Sequence, residues 1–180
     1  MTVPDMPSVT AVIATRDRPE LLRKALQAVF AQDYTGDIDA VVVYDQSPPD
    51  PQLNADFAQY PLTIIENTHT AGLAGARNSG VEAATGDWIA LCDDDDEWMA
   101  DKLRCQFELR GGDEGIGVMA TGILVVYGDK EFLRVPTKER LTKNDLLQSR
   151  VFAAHPSSIV VHRRTMLEDI GLVDEEIPGS

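Results

Sequence analysis

Trp88-Ile89-Ala90-Leu91-Cys92-Asp93-Asp94-Asp95-Asp96 (residues 88–96, WIALCDDDD) joins an unbroken apolar run directly to four carboxylates. A short continuous apolar run bounded by polar residues is the pattern of a strand buried on both faces, as in a parallel sheet. Adjacent carboxylates repel one another and are costly to bury unpaired. Two readings follow: a solvated acidic loop, or a site for a hard cation such as Mg²⁺ or Mn²⁺. Ligands of open parallel sheets bind outside the carboxyl ends of the strands, and the placement of Asp93–Asp96 at such an end favours the cation.

Working back from this stretch, Gly86 breaks a small-residue helix expected over Leu73–Ala84, preceded by a loop over Asn67–Gly72. Further apolar runs at Leu62–Ile65, Asp39–Tyr44 and Val9–Ala14 read as strands. Pro51–Ala58 is a candidate short helix. Arg18–Ala31 carries Leu21, Leu22, Ala25, Leu26, Val29 and Phe30 at helical spacing, with Asp17 as the expected cap and Pro19 in the first turn. Downstream, Met99–Leu109 reads as a helix closed by Gly111 and Gly112. The order β-α-β-α predicts a mostly parallel, doubly wound α/β sheet.

The second half changes character. Gly117–Tyr127 and Glu131–Val135 read as strands around a Gly128-Asp129 turn. Thr142–Gln148 reads as a short helix with Thr142 and Asp145 at capping-box spacing, Ser158–His162 as a strand, and Arg163–Ile170 as a helix closed by Gly171.

The chain has 180 residues, with 16 basic and 30 acidic side chains and a formal net charge of −14. That length fits one domain able to bury its own core. A charge of this sign repels nucleic acid backbones, so a nucleic acid partner is not expected. Two cysteines, Cys92 and Cys105, do not make a disulfide framework, and a reducing, cytoplasmic setting is the simpler expectation. Met1–Pro7 lacks the features of a signal peptide, and no run approaches the ~20 apolar residues of a transmembrane helix.

Polar groups converge at the predicted carboxyl edge: Thr15, Arg16 and Asp17 after the first strand, Asp45 and Ser47 after the second, Asn67 and a glycine loop after the third, the acidic block after the fourth. In Gly72-Leu73-Ala74-Gly75-Ala76-Arg77-Asn78, glycines would let backbone approach phosphates, and Arg77 could neutralise a pyrophosphate; the same residues serve equally as a packing feature. The absence of GxGxxG after the first strand and of GxxxxGK[ST] disfavours a dinucleotide dehydrogenase and a P-loop ATPase.

These segments together resemble the family-2 glycosyltransferases of the GT-A fold. The residues that carry the resemblance are Ala14–Glu20 (ATRDRPE), Tyr44–Ser47 (YDQS), Gly72–Gly80 (GLAGARNSG) and Gly86–Leu103 (GDWIALCDDDDEWMADKL). The resemblance covers nearly the whole chain in the right order. It implies a Rossmann-like GT-A fold, with a mostly parallel central sheet flanked by helices and mixed strands in the second half. Residues 1–110 would be the nucleotide-sugar-binding half and residues 111–180 the start of the acceptor-side half of a single domain.

The resemblance also implies roles. Thr15 and Asp45 line the nucleoside pocket, Asp45 meeting the base; Arg16, Arg77 and Asp94 belong to the donor-binding set. Asp93 approaches the ribose and the metal-bound diphosphate, and Asp95 is the main contact to Mn²⁺ or Mg²⁺. His155, in His155-Pro156-Ser157-Ser158, is a candidate contact to diphosphate or acceptor, and Trp98 packs the helix that follows. The reaction implied is inverting transfer from a nucleoside diphosphate sugar to a carbohydrate, lipid-linked or other hydroxyl acceptor.

Two departures stand out. Tyr44 and Gln46 replace the first Asp and the Gly of the usual Asp-Asp-Gly-Ser motif. The acidic motif that supplies the catalytic base would fall beyond Ser180; Asp174, Glu175 and Glu176 are nominal substitutes. A non-catalytic nucleotide-sugar-binding module lacking the base is therefore the alternative. A sugar nucleotidyltransferase would need a glycine-rich loop after the first strand, and a DxDx[ST] phosphatase a small hydroxyl residue where Glu97 stands. A homodimer and a peripheral position at the inner face of the membrane are compatible expectations.

Overall fold

The computed structural model describes residues 6–142, 144 and 155–177. Strands β1 (Val9–Thr15), β2 (Ile38–Tyr44), β3 (Leu62–Glu66) and β4 (Trp88–Asp93) are interleaved with helices α1 (Pro19–Phe30), α2 (Leu53–Asp56) and α3 (Leu73–Ala83). Helix α4 (Lys102–Arg110) follows, then β5 (Val118–Ala120), β6 (Ile123–Tyr127), β7 (Lys130–Arg134) and β8 (Ile159–His162). Six strands form one sheet in the order β3-β2-β1-β4-β8-β5, and β6 pairs with β7 in a separate hairpin. The first four are parallel; β8 runs antiparallel to both β4 and β5.

Burial explains the continuous apolar runs. Every residue of β1 is buried, because both faces are covered. On one face Val9, Ala11 and Ile13 meet Leu22, Ala25, Leu26 and Val29 of α1 and Leu103 and Phe107 of α4. On the other, Val12 and Ile89 meet Val81, while Ala14, Val41 and Val43 meet Ala76, all from α3. The small residues of α3 set its distance from the sheet. A Cβ on Gly80 would collide with Val12 Cγ1 and lie 3.1 Å from Val43 Cγ2.

Several expectations change. Pro19 opens α1, but Asp17 is no cap: it sits at φ 53°, and the N-cap Arg18 makes no capping bond. Asp17 instead takes the left-handed bend that turns the chain from β1 into α1, a conformation Asp tolerates better than most residues. α4 starts at Lys102 rather than Met99, because residues 96–99 have no regular structure and a turn at 100–101 leads into the helix. The strand expected over 117–127 is broken at Thr121-Gly122: β5 joins the main sheet while β6 leaves it for the hairpin, whose Gly128-Asp129 turn has Gly128 at φ 61°. Thr165–Ile170 is wound as a π-helix, ending at Gly171 with φ 86°. The helix expected over 142–148, Asp145 included, lies outside the described residues except for 142 and 144.

Candidate donor and metal site

Parallel register aligns the ends of four strands. Thr15 lies opposite Tyr44, Tyr44 opposite Glu66, and Ala14 opposite Asp93. The side chains that follow are therefore delivered to one edge. Two non-glycine residues there, Asp17 (φ 53°) and Gln46 (φ 54°), have left-handed backbone. Gln46 stands where the resembling pattern has Gly, and its positive φ supplies the physical reason for glycine at that position.

Asp45 is buried, and its carboxylate accepts from Asn67 Nδ2 (2.9 Å), Gln46 Nε2 (2.9 Å) and the Gly72 N–H (3.1 Å). Burial pushes this carboxyl up. The bonds from Asn67, Gln46 and Gly72, aided by the charge of Arg16, outweigh that and leave it below its ordinary range. Arg16 is exposed on the loop after β1. Gly72 has φ 131° and open space around its Cα, whereas a Cβ on Gly75 would strike the Thr70 carbonyl. The glycine loop thus combines an open backbone at Gly72 with a tight packing contact at Gly75.

The four aspartates part company. Asp94 turns inward, 6% exposed, accepting from the Thr15 hydroxyl at 2.6 Å and from Arg18 at 3.1 Å. Asp95 is half-exposed and pairs with Arg18 at 3.0 Å. Asp93 pairs with Arg77 at 2.6 Å. Asp96 accepts from the Ser157 hydroxyl at 2.5 Å and lies 3.4 Å from His155 Nδ1. Ligand atoms of Asp93, Asp96 and His155 all fall within 4.8 Å of one another, a spacing able to hold a metal ion. The structure thus brings Asp93 and His155 together with Asp96, and sets Asp94 and Asp95 on Thr15 and Arg18.

Antiparallel pairing of β8 with β4 builds this cluster. Trp88 faces His162 and Ala90 faces Val160; carried forward, that register sets Ser157 opposite Asp93. The Asp93 N–H indeed donates to Ser157 Oγ at 2.9 Å. His155, held extended before Pro156 (φ −74°, ψ 144°), accepts the Ser157 N–H on Nδ1 at 3.4 Å.

Sequence reasoning missed Arg18, Ser157 and the bond from Gln46. Arg18 had a signal, being the second cation after β1 and the residue just before Pro19; Ser157 had none without the pairing of β8. Cys92, singled out by its place before the block, is buried, and burial raises its thiol well above the usual range, the opposite of what an activated thiolate needs. Trp98 is buried and packs under Lys102, whose Nζ lies 4.2 Å from the ring centroid; burial lowers that amine to about 7.

The model of Glycosyl transferase family 2 matches residues 10–170. The chain belongs to glycosyl transferase family 2. Among curated members, the uncharacterized glycosyltransferase YwdF of Bacillus subtilis is 27% identical over 172 residues, covering 94% of this chain and 63% of YwdF. S. aureus TarS 1-349 in complex with UDP superposes with a TM-score of 0.77 at 18% identity, over 96% of this chain and 52% of that one. The mannosyltransferase PcManGT from Pyrobaculum calidifontis, in complex with GDP-Man and Mn²⁺, gives 0.65 at 21% identity, over 97% and 50%. The family-2 fold, an α/β GT-A sheet, is thus shared, and the chain spans between half and two-thirds of the length of these relatives. Among the described residues, no helix is long and apolar enough to cross a membrane.

Proposed function

We propose that this family-2 chain carries the donor site of a metal-assisted, inverting glycosyltransferase that moves a sugar from a nucleoside diphosphate sugar to an acceptor hydroxyl. The observation that carries this reading is the meeting, at one sheet edge, of the buried carboxylate Asp45, the cation Arg77 and the Asp93–Asp96–His155 cluster. Residues 1–110 would form the donor half and 111–180 the start of the acceptor half.

In this reading Asp45 meets the nucleobase, with Thr15 and Arg16 beside the nucleoside. Arg77, 12% exposed and paired with Asp93, lies where it can share its charge with the diphosphate. Asp93, Asp96 and His155 would hold a divalent cation, with Asp95 the further carboxylate expected from the Asp93-Asp94-Asp95 (DxD) pattern. The imidazole fits Mn²⁺ better than Mg²⁺, which prefers oxygen and water. The cation, when bound, neutralises charge on the departing diphosphate.

The acceptor oxygen attacks the anomeric carbon from the face opposite the diphosphate, which leaves with the electrons of the C–O bond. The acceptor proton passes to a general base. Glu175 is a poor base, because hydrogen bonds from Thr70 and Asn78 hold it down to about 2. Family-2 structures with UDP and with GDP-Man and Mn²⁺ support a nucleoside diphosphate sugar and a divalent cation as ligands. A lipid-linked acceptor would place the protein in the cytoplasm, peripheral to the inner face of the membrane.

Calorimetric titration with UDP, dTDP and GDP, each with Mn²⁺, Mg²⁺ or EDTA, tests the donor site. Binding of one nucleotide that is lost in EDTA is the expected result. Binding that ignores EDTA removes the metal from the proposal, and absence of binding to all three, repeated on the full-length protein, removes the donor site.

A further inference from the structure

Beyond the π-helix, residues 171–175 double back across α3. Val173 is fixed to Asn78 in both directions: its N–H donates to Oδ1 at 2.8 Å and its carbonyl accepts from Nδ2 at 2.9 Å. Two residues on, Glu175 Oε1 accepts from Asn78 Nδ2 at 2.8 Å and lies 2.8 Å from His69 Nδ1. Its Oε2 accepts the Thr70 N–H at 3.0 Å. The other nitrogen of His69 lies 3.0 Å from Glu82 on α3. One carboxylate thus joins the C-terminal segment, α3 and the loop between β3 and α3.

That loop holds the Asp45 carboxylate. The Thr70 peptide has its N–H on Glu175 and its carbonyl on Asn67 Nδ2, at 3.0 Å. The same Asn67 amide donates to Asp45 Oδ1 at 2.9 Å, and the Gly72 N–H donates to that oxygen at 3.1 Å. Asn67 Oδ1 is in turn held by the His69 N–H and the Ser79 hydroxyl, each at 2.9 Å. An uninterrupted chain of bonds therefore runs from Glu175 through Thr70 and Asn67 to Asp45.

We infer that Glu175 is a positioning residue for the nucleoside pocket: it ties the 67–72 loop to α3 and thereby fixes the donors that orient Asp45. The inference rests on the proposed role of Asp45 toward the base. Glu175 touches neither the Asp93–Asp96–His155 cluster nor Arg77, so its effect is confined to the nucleoside end of the site. The depressed Glu175 carboxyl agrees with a group held permanently as an acceptor.

The test compares wild type, Glu175→Ala and Glu175→Gln for UDP binding with Mn²⁺, for Mn²⁺ binding alone, and for amide hydrogen exchange. Losing the anchor of a bond chain at this distance should raise the UDP Kd roughly tenfold in Glu175→Ala. The Thr70 and Gly72 amides should exchange faster, while Mn²⁺ binding is unchanged. Glu175→Gln, which keeps an acceptor for Thr70, should recover most of the affinity. A wild-type UDP Kd in Glu175→Ala, or exchange that quickens equally across the whole chain, overturns the inference. If Glu175→Ala does not fold, His69→Gln replaces it, with loop-confined exchange as the deciding result. If wild type binds no nucleotide, the Asp45 reading fails by itself, and unchanged exchange at Thr70 and Gly72 in Glu175→Ala separately overturns the anchoring role.

Discussion

Replacing Ser157 with Ala removes one hydroxyl that serves two strands. Ser157 is 8% exposed; its Oγ accepts the Asp93 N–H at 2.9 Å and donates to Asp96 at 2.5 Å. The first is a neutral bond worth about 1 kcal/mol, the second a charge-assisted one worth about 1.5–3 kcal/mol. Asp96 is 39% exposed, so water recovers part of the second, and a loss of about 2 kcal/mol in unfolding free energy follows. The larger effect falls on the cation. Residues that orient metal ligands typically change metal affinity by about 10–100-fold, and Ser157 orients both Asp93 and Asp96. Mn²⁺ titration and urea unfolding of Ser157→Ala and Ser157→Thr measure the two effects; Thr keeps the hydroxyl and should retain most of the affinity. A Ser157→Ala protein with wild-type Mn²⁺ affinity would refute the argument, whatever its stability, because the hydroxyl would then be a packing bond unrelated to the cluster.

Three further outcomes follow from the geometry. Gly80→Ala should lose about 1–3 kcal/mol in urea unfolding, since its Cβ meets Val12 and Val43 on central strands that cannot withdraw; an unchanged midpoint would show that α3 does not approach so closely. The Glu175 carboxyl is lowered from 4.5 to about 2, so its contribution to stability is full above the unfolded value and fades as pH falls toward 2. Wild type should therefore lose stability more steeply than Glu175→Gln between about pH 5 and pH 2 in urea melts, and parallel curves would remove the linkage. Asp95→Ala breaks only a half-exposed pair with Arg18, worth about 0–1 kcal/mol, so its melting should barely move. Its Mn²⁺ affinity should fall if Asp95 is a ligand; retained affinity would confine Asp95 to the pair with Arg18.

The four parallel strands were legible because each keeps a mostly apolar run, fully buried in β1 and largely so in β2 and β4: Val9–Ala14, Asp39–Tyr44, Leu62–Ile65 and Trp88–Cys92 are bounded within a residue or two of β1–β4. The edge where polar side chains collect was legible for the same reason, since strand ends in parallel register deliver Thr15, Asp45 and Asp93 side by side. The short, partly exposed elements of the second half were not. Gly117–Tyr127 carries no marker of where the chain leaves the main sheet after β5, because that break is set by the pairing of β5 with β8, some forty residues later in the chain.

The Asp93–Asp96–His155 cluster shows the same limit at the level of single residues. Four aspartates in a row offer no local signal to tell Asp94 from Asp96: each has the same side chain and a neighbour of the same charge. Thr15 and Arg18 draw Asp94 inward from β1 and α1, and Ser157 and His155 draw Asp96 outward from the turn before β8. Distant partners thus decide which carboxylates are free to serve a cation. Charge density announces that the block needs a positive companion, and tertiary pairing decides that Arg18 takes Asp94 and Asp95, Arg77 takes Asp93, and Asp96 is left facing an imidazole. A homologous block with the same four aspartates but no hydroxyl at position 157 should, by this argument, distribute its carboxylates differently.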